Sequence, residues 1–574
     1  MRLAIVGHRG AGKSSLLKRL KGYYSDYVCV DLDEYIERAE SRTIIDIFKK
    51  EGESFFRSLE TKYFNQLLLE QKDNLIVSLG AGFEARIPKD LDCVWLKRKT
   101  DPFGRSFFDR PNLSGNLSPL DDYLARFESR EKKYREQCNS IYQAPEGKLD
   151  DFWPEKYFFD QKIVLSKSIL TIRPFHLCSL EKEFNFLNWE LKYYELRDDL
   201  LSEKEMEKCV SILPKTKILL SFRDPERSPH SMSLMSQCSR TDWAYELGES
   251  PFELDILSLH PNNLDMEEIE KIESRFVFGH LKLSPILESI SELEKLYLWQ
   301  KQQATKRSIL PRSSGDLDFS WFRLLQSNIQ QLNFVEDGTS DVSSQANIME
   351  ILAFDGNFKS FGAVLGDPVL HSQSPMEHFK EFSKHRENFL AIQMPEDQFT
   401  MESLRFLKML GMDKAAITSP LKIKAAHYSD NVNKEEAVNT LKNTETFFES
   451  INTDQAGLRV LLKGIEGETV IWGGGGTLAA IQNLIPDAIP YSARKSEPRD
   501  KRIAIAPKNL IWAAGSREVN IPEKWELKKI IDLSYTWNSP AREYAVIQKI
   551  EYVSGIEMFE VQASEQRKYW YGRE

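Results

Sequence analysis

Eighteen residues at the start of the chain, MRLAIVGHRGAGKSSLLK, constrain its fold more than any other stretch. The apolar run Leu3–Val6 leads into Gly7-His-Arg-Gly10-Ala-Gly12-Lys13-Ser14-Ser15, and helical spacing follows. Strand, G-x-x-x-x-G-K-S loop and helix, in that order, make a phosphate cradle. Backbone N–H groups of such a loop, with the positive end of the helix, surround a polyphosphate. Lys13 then reaches the β- and γ-phosphates, and the Ser14 hydroxyl, with Ser15 beside it, ligates Mg2+. The opening therefore predicts an α/β unit that binds a nucleoside triphosphate.

A chain of 574 residues has room for three or four domains of about 150 residues each. With 41% hydrophobic and 29% charged residues, its composition is that of an ordinary globular protein. No apolar run approaches the roughly 18–20 residues that span a bilayer, and no signal-peptide layout opens the chain. A net charge of −10 argues against nucleic acid as a general partner and leaves small molecules as the expected ones. Cys29, Cys93, Cys138, Cys178, Cys209 and Cys238 are scattered without a C-x-x-C pair, which suits a reducing cytoplasm and offers no metal site. The expected location is cytoplasmic, and oligomeric state stays open.

Apolar strands alternate with helical stretches along the whole chain, the pattern of parallel sheets covered by helices. Three α/β segments in series are expected: residues 1–160, 165–355 and 359–574. The last divides into 359–462 and a dinucleotide-binding part, 463–574.

In the first segment Asp31-Leu-Asp33 ends a strand, where one carboxylate can hold Mg2+ and the other can take a hydroxyl proton. IFKKEGESFFRSLE, SLGAGFE, Arg110-Pro111 within a polar loop, and Arg130 four residues before Tyr134 follow. This series resembles shikimate kinase over residues 1–145. The resemblance implies that Asp33, Arg57, Arg130 and the turn Gly80-Ala81-Gly82 hold shikimate, and that Arg110 closes over the phosphates. Arginine forks suit a small carboxylate substrate, and phosphoryl transfer needs cations and a lid. Ala81 departs from a third glycine.

The third segment opens with GAVLGDPVLHSQSPMEH, where Ser372 and Ser374 precede a helix started by proline and suit a carboxylate. Thr418-Ser-Pro-Leu-Lys422, Ala437-Val-Asn439 and Asn452-Thr-Asp454 come next. The series resembles shikimate dehydrogenase across 359–574. It implies Lys422 and Asp454 as the proton-exchanging pair, with Thr418, Asn439, Tyr535 and Gln562 completing the pocket. Gly473, Gly474, Gly475 and Gly476 follow the strand TVIW as a dinucleotide turn would. The next strand runs out into Arg494 and Lys495, so NADP(H) is expected over NAD. Ala416 and Ser450 depart from the family, and the strand–helix units after Arg494 look short.

The middle segment resembles type I 3-dehydroquinate dehydratase in part, in the order kinase, dehydratase, dehydrogenase of arom-type polypeptides. Glu195, Arg197, Arg223 and Gln345 match its substrate residues, and His260 with Lys282 its catalytic pair. A lysine imine acidifies the neighbouring C–H, which a histidine can remove. Four features depart: Arg227 in place of an acid, Trp321 in place of an arginine, SSQAN in place of a proline-glycine turn, and apparent fusion of the DIL and SLH strands. About 190 residues is also short for a barrel that typically takes about 250. His280, on the same strand face as Lys282, is the weaker histidine.

The leading expectation is a multifunctional enzyme converting 3-dehydroquinate to 3-dehydroshikimate, then shikimate, then shikimate 3-phosphate. One alternative keeps the kinase and dehydrogenase with an inactive middle domain. Another is a non-catalytic sensor resembling the quinate repressor. Against the sensor stand Lys13, Asp31, Lys422 and Asp454, the acidic charge, and a first strand that starts directly after Met1.

Overall fold

The computed structural model describes residues 2–98, 101, 119–144, 163–180, 189–315, 317–339, 344–354, 356–369, 372–431, 433–515, 517, 519–522, 524–534 and 539–572. They form two compact units, one built on Met1–Pro102 with Ala125–Asn357 and the other on Phe358–Glu574.

The first unit opens with five parallel strands in the order Val28–Asp31, Leu75–Ser78, Arg2–Val6, Asp92–Arg98, Ser140–Ala144. The central strand is apolar on both faces because helices cover both, and Leu3, Ala4 and Ile5 are fully buried. Central placement also puts the end of Arg2–Val6, and so the glycine loop, at the point where strand order reverses. Ligands bind there in open α/β sheets.

The same unit continues into eight further parallel strands that pair in chain order: Ile163–Thr171, Trp189–Arg197, Ile218–Phe222, Arg240–Ala244, Leu254–Leu259, Phe278–Leu283, Arg307–Ile309 and Asn333–Glu336. The eighth returns to pair with the first, Phe334 opposite Ile169. Between the seventh and eighth, side chains replace the ladder. Gln330 donates to the Ile309 carbonyl at 3.1 Å and accepts from its N–H at 3.0 Å. The Leu332 N–H donates to Ser308 Oγ at 3.1 Å. Ile169, Leu219, Ile256, Leu310, Leu332 and Phe334 meet in a buried layer inside, as side chains fill a barrel.

Two features expected from the sequence, the fused strands and the short segment, take physical form here. LDILSL is one strand, and RTDWA supplies the strand before it, so none is lost to fusion. The segment is short because its crossovers are short. A single 3-10 turn, Tyr245–Leu247, stands where the fourth helix would be, and Ser228–Ser233 has six residues.

In the second unit, one six-stranded sheet runs Asn388–Gln393, Phe361–Gly366, Met412–Ile417, Thr440–Asn443, Phe448–Ile451, Asp430–Asn431. The other runs Glu497–Pro498, Ile489–Ser492, Thr469–Gly473, Asn509–Ala513, Lys529–Asp532, Glu551–Val553. After Ile489–Ser492 the chain turns back as a hairpin rather than a helix, which is why the units after Arg494 look short. The last helix, Ile556–Tyr571, packs on Asp454–Leu461 so closely that a Cβ at Gly457 would lie 2.4 Å from the Met558 carbonyl.

No helix among the described residues is long and apolar enough to cross a membrane. Nor does any cluster of metal-ligating side chains stand among them.

Candidate functional site

Three sites follow from this frame. In the first, Gly7, Gly10 and Gly12 all take positive φ, and Gly12 caps the helix Lys13–Tyr23. Lys13 Nζ donates to the carbonyls of Gly7 and His8 at 2.8 and 3.0 Å, so its amine lies over the loop. Ser14 Oγ donates to Asp31 Oδ2 at 2.8 Å. A hydroxyl and a carboxylate side by side next to the lysine are an oxygen donor set that fits Mg2+.

Beside the loop, Asp33 lies in the first turn of the helix Leu32–Glu40, and Gly80 and Gly82 bring the backbone against the acid–arginine cluster. A Cβ at Gly80 would lie 2.7 Å from Glu60 Oε1 and 3.2 Å from Asp33 Oδ1, and one at Gly82 would lie 2.3 Å from Arg57. Tyr134 donates to the Ala81 carbonyl at 2.5 Å, which fixes the helix Pro119–Gln137 to this turn. Arg130 sits one helical turn before Tyr134 and therefore on the same side.

Glu60 was not evident from the sequence motifs. It lies three residues past Arg57, at helical spacing, and binds it at 2.6 Å while 1% exposed. Burial pushes its carboxyl up to about 7, against the pull of Arg57. Arg110 lies outside the described residues.

The second site lies inside the eight-strand sheet. Lys282 Nζ donates to Asp242 Oδ2 at 2.9 Å and lies 3.9 Å from Glu195 and 4.2 Å from the centre of the Phe334 ring. Burial holds its amine below the ordinary lysine value, although Asp242 pulls it up. Glu195 accepts from Ser221 at 2.7 Å and Thr171 at 2.5 Å. Arg223 binds Asp242 at 2.5 Å, and Arg197 forks onto Asp199 at 2.6 and 2.9 Å.

His260 stands near the rim, its Nδ1 3.6 Å from Glu246, and burial with Lys282 and Arg223 nearby keeps it below its usual value. Gln345 is half-buried just before Ala346–Asn347. His280 is a core residue: its Nε2 shares a hydrogen with Ser308 Oγ at 2.9 Å. Asp242, central here, carried no sequence signal beyond a strand position.

The third site is a cavity of about 330 Å3 in the second unit, lined by Ser372, Ser374, Thr418, Lys422, Asp454 and Gln562 among others. Lys422 Nζ meets Asp454 Oδ2 at 2.5 Å, and Asn439 Nδ2 donates to Asp454 Oδ1 at 2.8 Å. Ser372 Oγ donates to Ser374 Oγ at 3.2 Å at the start of the helix Ser374–Lys384. Tyr535 lies outside the described residues.

Gly473, Gly474 and Gly475 have φ of 94°, 105° and 38°, and a Cβ at Gly473 would lie 2.7 Å from the Ala513 carbonyl, which packs the turn on the neighbouring strand. An added Cβ at Gly475 would meet nothing within 4 Å, so the backbone is open there, as a dinucleotide pyrophosphate requires, and Thr477 and Ala513 beside the turn line the cavity. Gly476 continues the turn. Arg494 and Lys495 are exposed in the hairpin after Ile489–Ser492.

Known proteins match at both ends. Residues 9–149 match the shikimate kinase family, and residues 364–441 match the shikimate dehydrogenase substrate binding domain. Shikimate kinase of Sulfurihydrogenibium sp. is 34% identical over 146 residues, 23% of this chain and 81% of that one. That of Persephonella marina is 33% identical over 153 residues, 25% of this chain and 88% of that one.

Through residues 9–149 the chain belongs to the shikimate kinase family.

A bifunctional shikimate kinase/3-dehydroquinate synthase of Thermotoga maritima is 39% identical over 82 residues, 14% of this chain, and the match spans 16% of that protein. Shikimate dehydrogenase 1 of Peptoclostridium difficile aligns in structure with a TM-score of 0.33 and 20% identity, over 38% of this chain and 92% of that one. The kinase match spans the glycine loop from Arg9 onward with Asp33, Arg57, Glu60 and Arg130, and the substrate-domain match spans Ser372, Ser374, Thr418, Lys422 and Asn439.

Proposed function

We propose that this chain is a multifunctional enzyme with two firmly built activities: ATP-dependent phosphorylation of shikimate and NADP-linked interconversion of 3-dehydroshikimate and shikimate. The observation that carries it is that one chain holds both a complete phosphate loop, with Ser14 on Asp31, and a complete Lys422–Asp454–Asn439 constellation. A sensor would have no need of either.

In the kinase, Ser14 and Asp31 would hold Mg2+ and Lys13 the transferred phosphoryl, while Arg57 and Arg130 take the substrate carboxylate. Asp33 then accepts the proton of the attacking hydroxyl. Lys13→Ala should lower shikimate phosphorylation by about 10²–10³-fold, the worth of one charge-stabilising donor. NADP-linked shikimate oxidation by the same protein should be unchanged, because Lys422 belongs to the other compact unit.

In the dehydrogenase, Ser372 and Ser374 hold the substrate carboxylate and Lys422, oriented by Asp454, exchanges a proton with the C–O group. NADP supplies the hydride acceptor when bound, on the Gly473–Gly475 turn, and Arg494 with Lys495 would meet its 2′-phosphate. Arg494→Asp should lower kcat/KM with NADP by about 10- to 150-fold, the loss of a charge-assisted contact, and change NAD use little. Equal use of both cofactors by the unaltered protein would overturn this assignment.

A third activity, dehydration of 3-dehydroquinate through a Lys282 imine, is supported by the amine held at 2.9 Å from Asp242 inside the eight-strand sheet. The test of all three is to give the purified chain ATP with shikimate, NADP with shikimate, and 3-dehydroquinate alone. The last is followed by the absorbance of the conjugated enone.

A further inference from the structure

Gln566 is 3% exposed on the last helix, one turn beyond Gln562, and lines the same cavity. Its Nε2 donates to the Asn439 carbonyl at 3.1 Å, and its Oε1 accepts from His378 Nε2 at 3.2 Å. An amide has one donor end and one acceptor end, so these partners fix which way it faces. Burial, with Arg567 nearby, holds His378 down to about 3, so its ring is neutral and its proton sits on Nε2.

The Asn439 carbonyl is the joint of the arrangement. It accepts from the Ile417 N–H at 2.8 Å within the sheet and from Gln566 on the helix. The Asn439 side chain is committed as well. Its Oδ1 accepts from the Thr453 N–H and Thr440 Oγ1, each at 2.8 Å. Its Nδ2 donates to Asp454 Oδ1, which leaves Oδ2 for Lys422.

We propose that Gln566 is a positioning residue for the Lys422–Asp454 pair, acting through Asn439 and itself held by His378; the assignment rests on the dehydrogenase reading of this site. An apolar residue of the same bulk would fill the space but leave the His378 donor unmet and the Asn439 carbonyl tied to the sheet alone. Catalytic pairs tolerate little displacement, and a shift of about 1 Å can cost about 100-fold.

The test uses steady-state oxidation of shikimate with NADP by the full chain. Gln566→Met keeps length and bulk and removes both hydrogen bonds. Gln566→Glu is a switch: its neutral acid has the donor and acceptor of the native amide, and its ionised form has lost the donor. Gln566→Met should lower kcat by about 10- to 100-fold while KM for NADP stays within about twofold.

The activity of Gln566→Glu relative to the unaltered protein should exceed that of Gln566→Met at low pH and fall as pH rises. Lys422, Asp454 and Arg567 are common to all three proteins, so their titration cancels in the ratio. Wild-type kcat in Gln566→Met, with only a lower Tm, overturns the proposal, as does a Gln566→Glu that tracks Gln566→Met at every pH. Should Gln566→Met not fold, the Gln566→Glu ratio still decides. Absence of shikimate oxidation in the unaltered protein overturns the dehydrogenase reading itself, and this inference with it.

Discussion

Lys422→Ala is expected to lower the turnover of NADP-linked shikimate oxidation by about 10²–10⁴-fold, the usual contribution of a positioned acid–base group. The geometry says why one side chain should matter so much. Lys422 is the first residue of the helix Lys422–Tyr428, so its stem is fixed by the turn before it, and its amine meets Asp454 at 2.5 Å. Asp454 is 2% exposed and its other oxygen is taken by Asn439. The pair therefore arrives at the substrate with its orientation already set. Shikimate affinity should fall much less, because in the proposed site Ser372 and Ser374 would hold the other end of the substrate. Steady-state kcat and KM on the purified variant decide. Wild-type turnover would remove Lys422 from the mechanism, and a loss confined to KM would make it a binding residue only.

Motifs in the sequence were legible where chemistry and chain order coincide. The glycine loop reads directly because a phosphate cradle is local: strand, loop and helix are contiguous, and Asp31 follows within one crossover. Glu60 was not legible, because it sits in an ordinary helical run, and only folding brings its carboxylate to 2.6 Å from Arg57 and next to Gly80. The same holds for Gln566, whose partners His378 and Asn439 are 188 and 127 residues away. Cys93 and Cys138 read as unrelated thiols, yet their sulfurs lie 3.2 Å apart, since Asn139 pairs its backbone with Cys93.

In the middle segment the barrel-like architecture was legible and its completeness was not. Alternation and length suggested a worn barrel. Eight parallel strands are nevertheless present in chain order, closed between the seventh and eighth by Gln330 and Ser308 side chains instead of a ladder. Side-chain substitutes for backbone pairing have no periodicity and leave no trace in a hydropathy pattern. The departures in the motif residues also take physical form. Arg227, where an acid was expected, donates to the carbonyls of Asp198 and Leu201 at 3.1 and 3.2 Å and holds a loop. Trp321 is buried, and Arg323, two residues on, is spent on the Phe334 carbonyl at 3.3 Å.

Borohydride added with 3-dehydroquinate is expected to trap a covalent adduct on Lys282, and Lys282→Ala should show neither adduct nor enone formation. Imine formation needs an uncharged amine beside a ketone. Lys282 is 5% exposed, and burial weakens its hold on the proton while Asp242 keeps the amine directed at 2.9 Å. In the proposed reaction His260 would remove the acidified C–H, and burial, with Lys282 and Arg223 nearby, holds its imidazole below its usual value, which favours the base form. The weak point is carboxylate recognition. With Trp321 in place of an arginine, a charge-assisted contact of about 1.5–3 kcal/mol is missing, which corresponds to a KM raised by about 10- to 150-fold. The trap must therefore be run at high substrate concentration and read by mass on the Lys282 peptide. An adduct there with a high KM is the expected pair of results. No adduct at saturating substrate, with the far-UV and thermal unfolding signatures of the segment intact, would leave the eight strands a scaffold and the chain a kinase and dehydrogenase only.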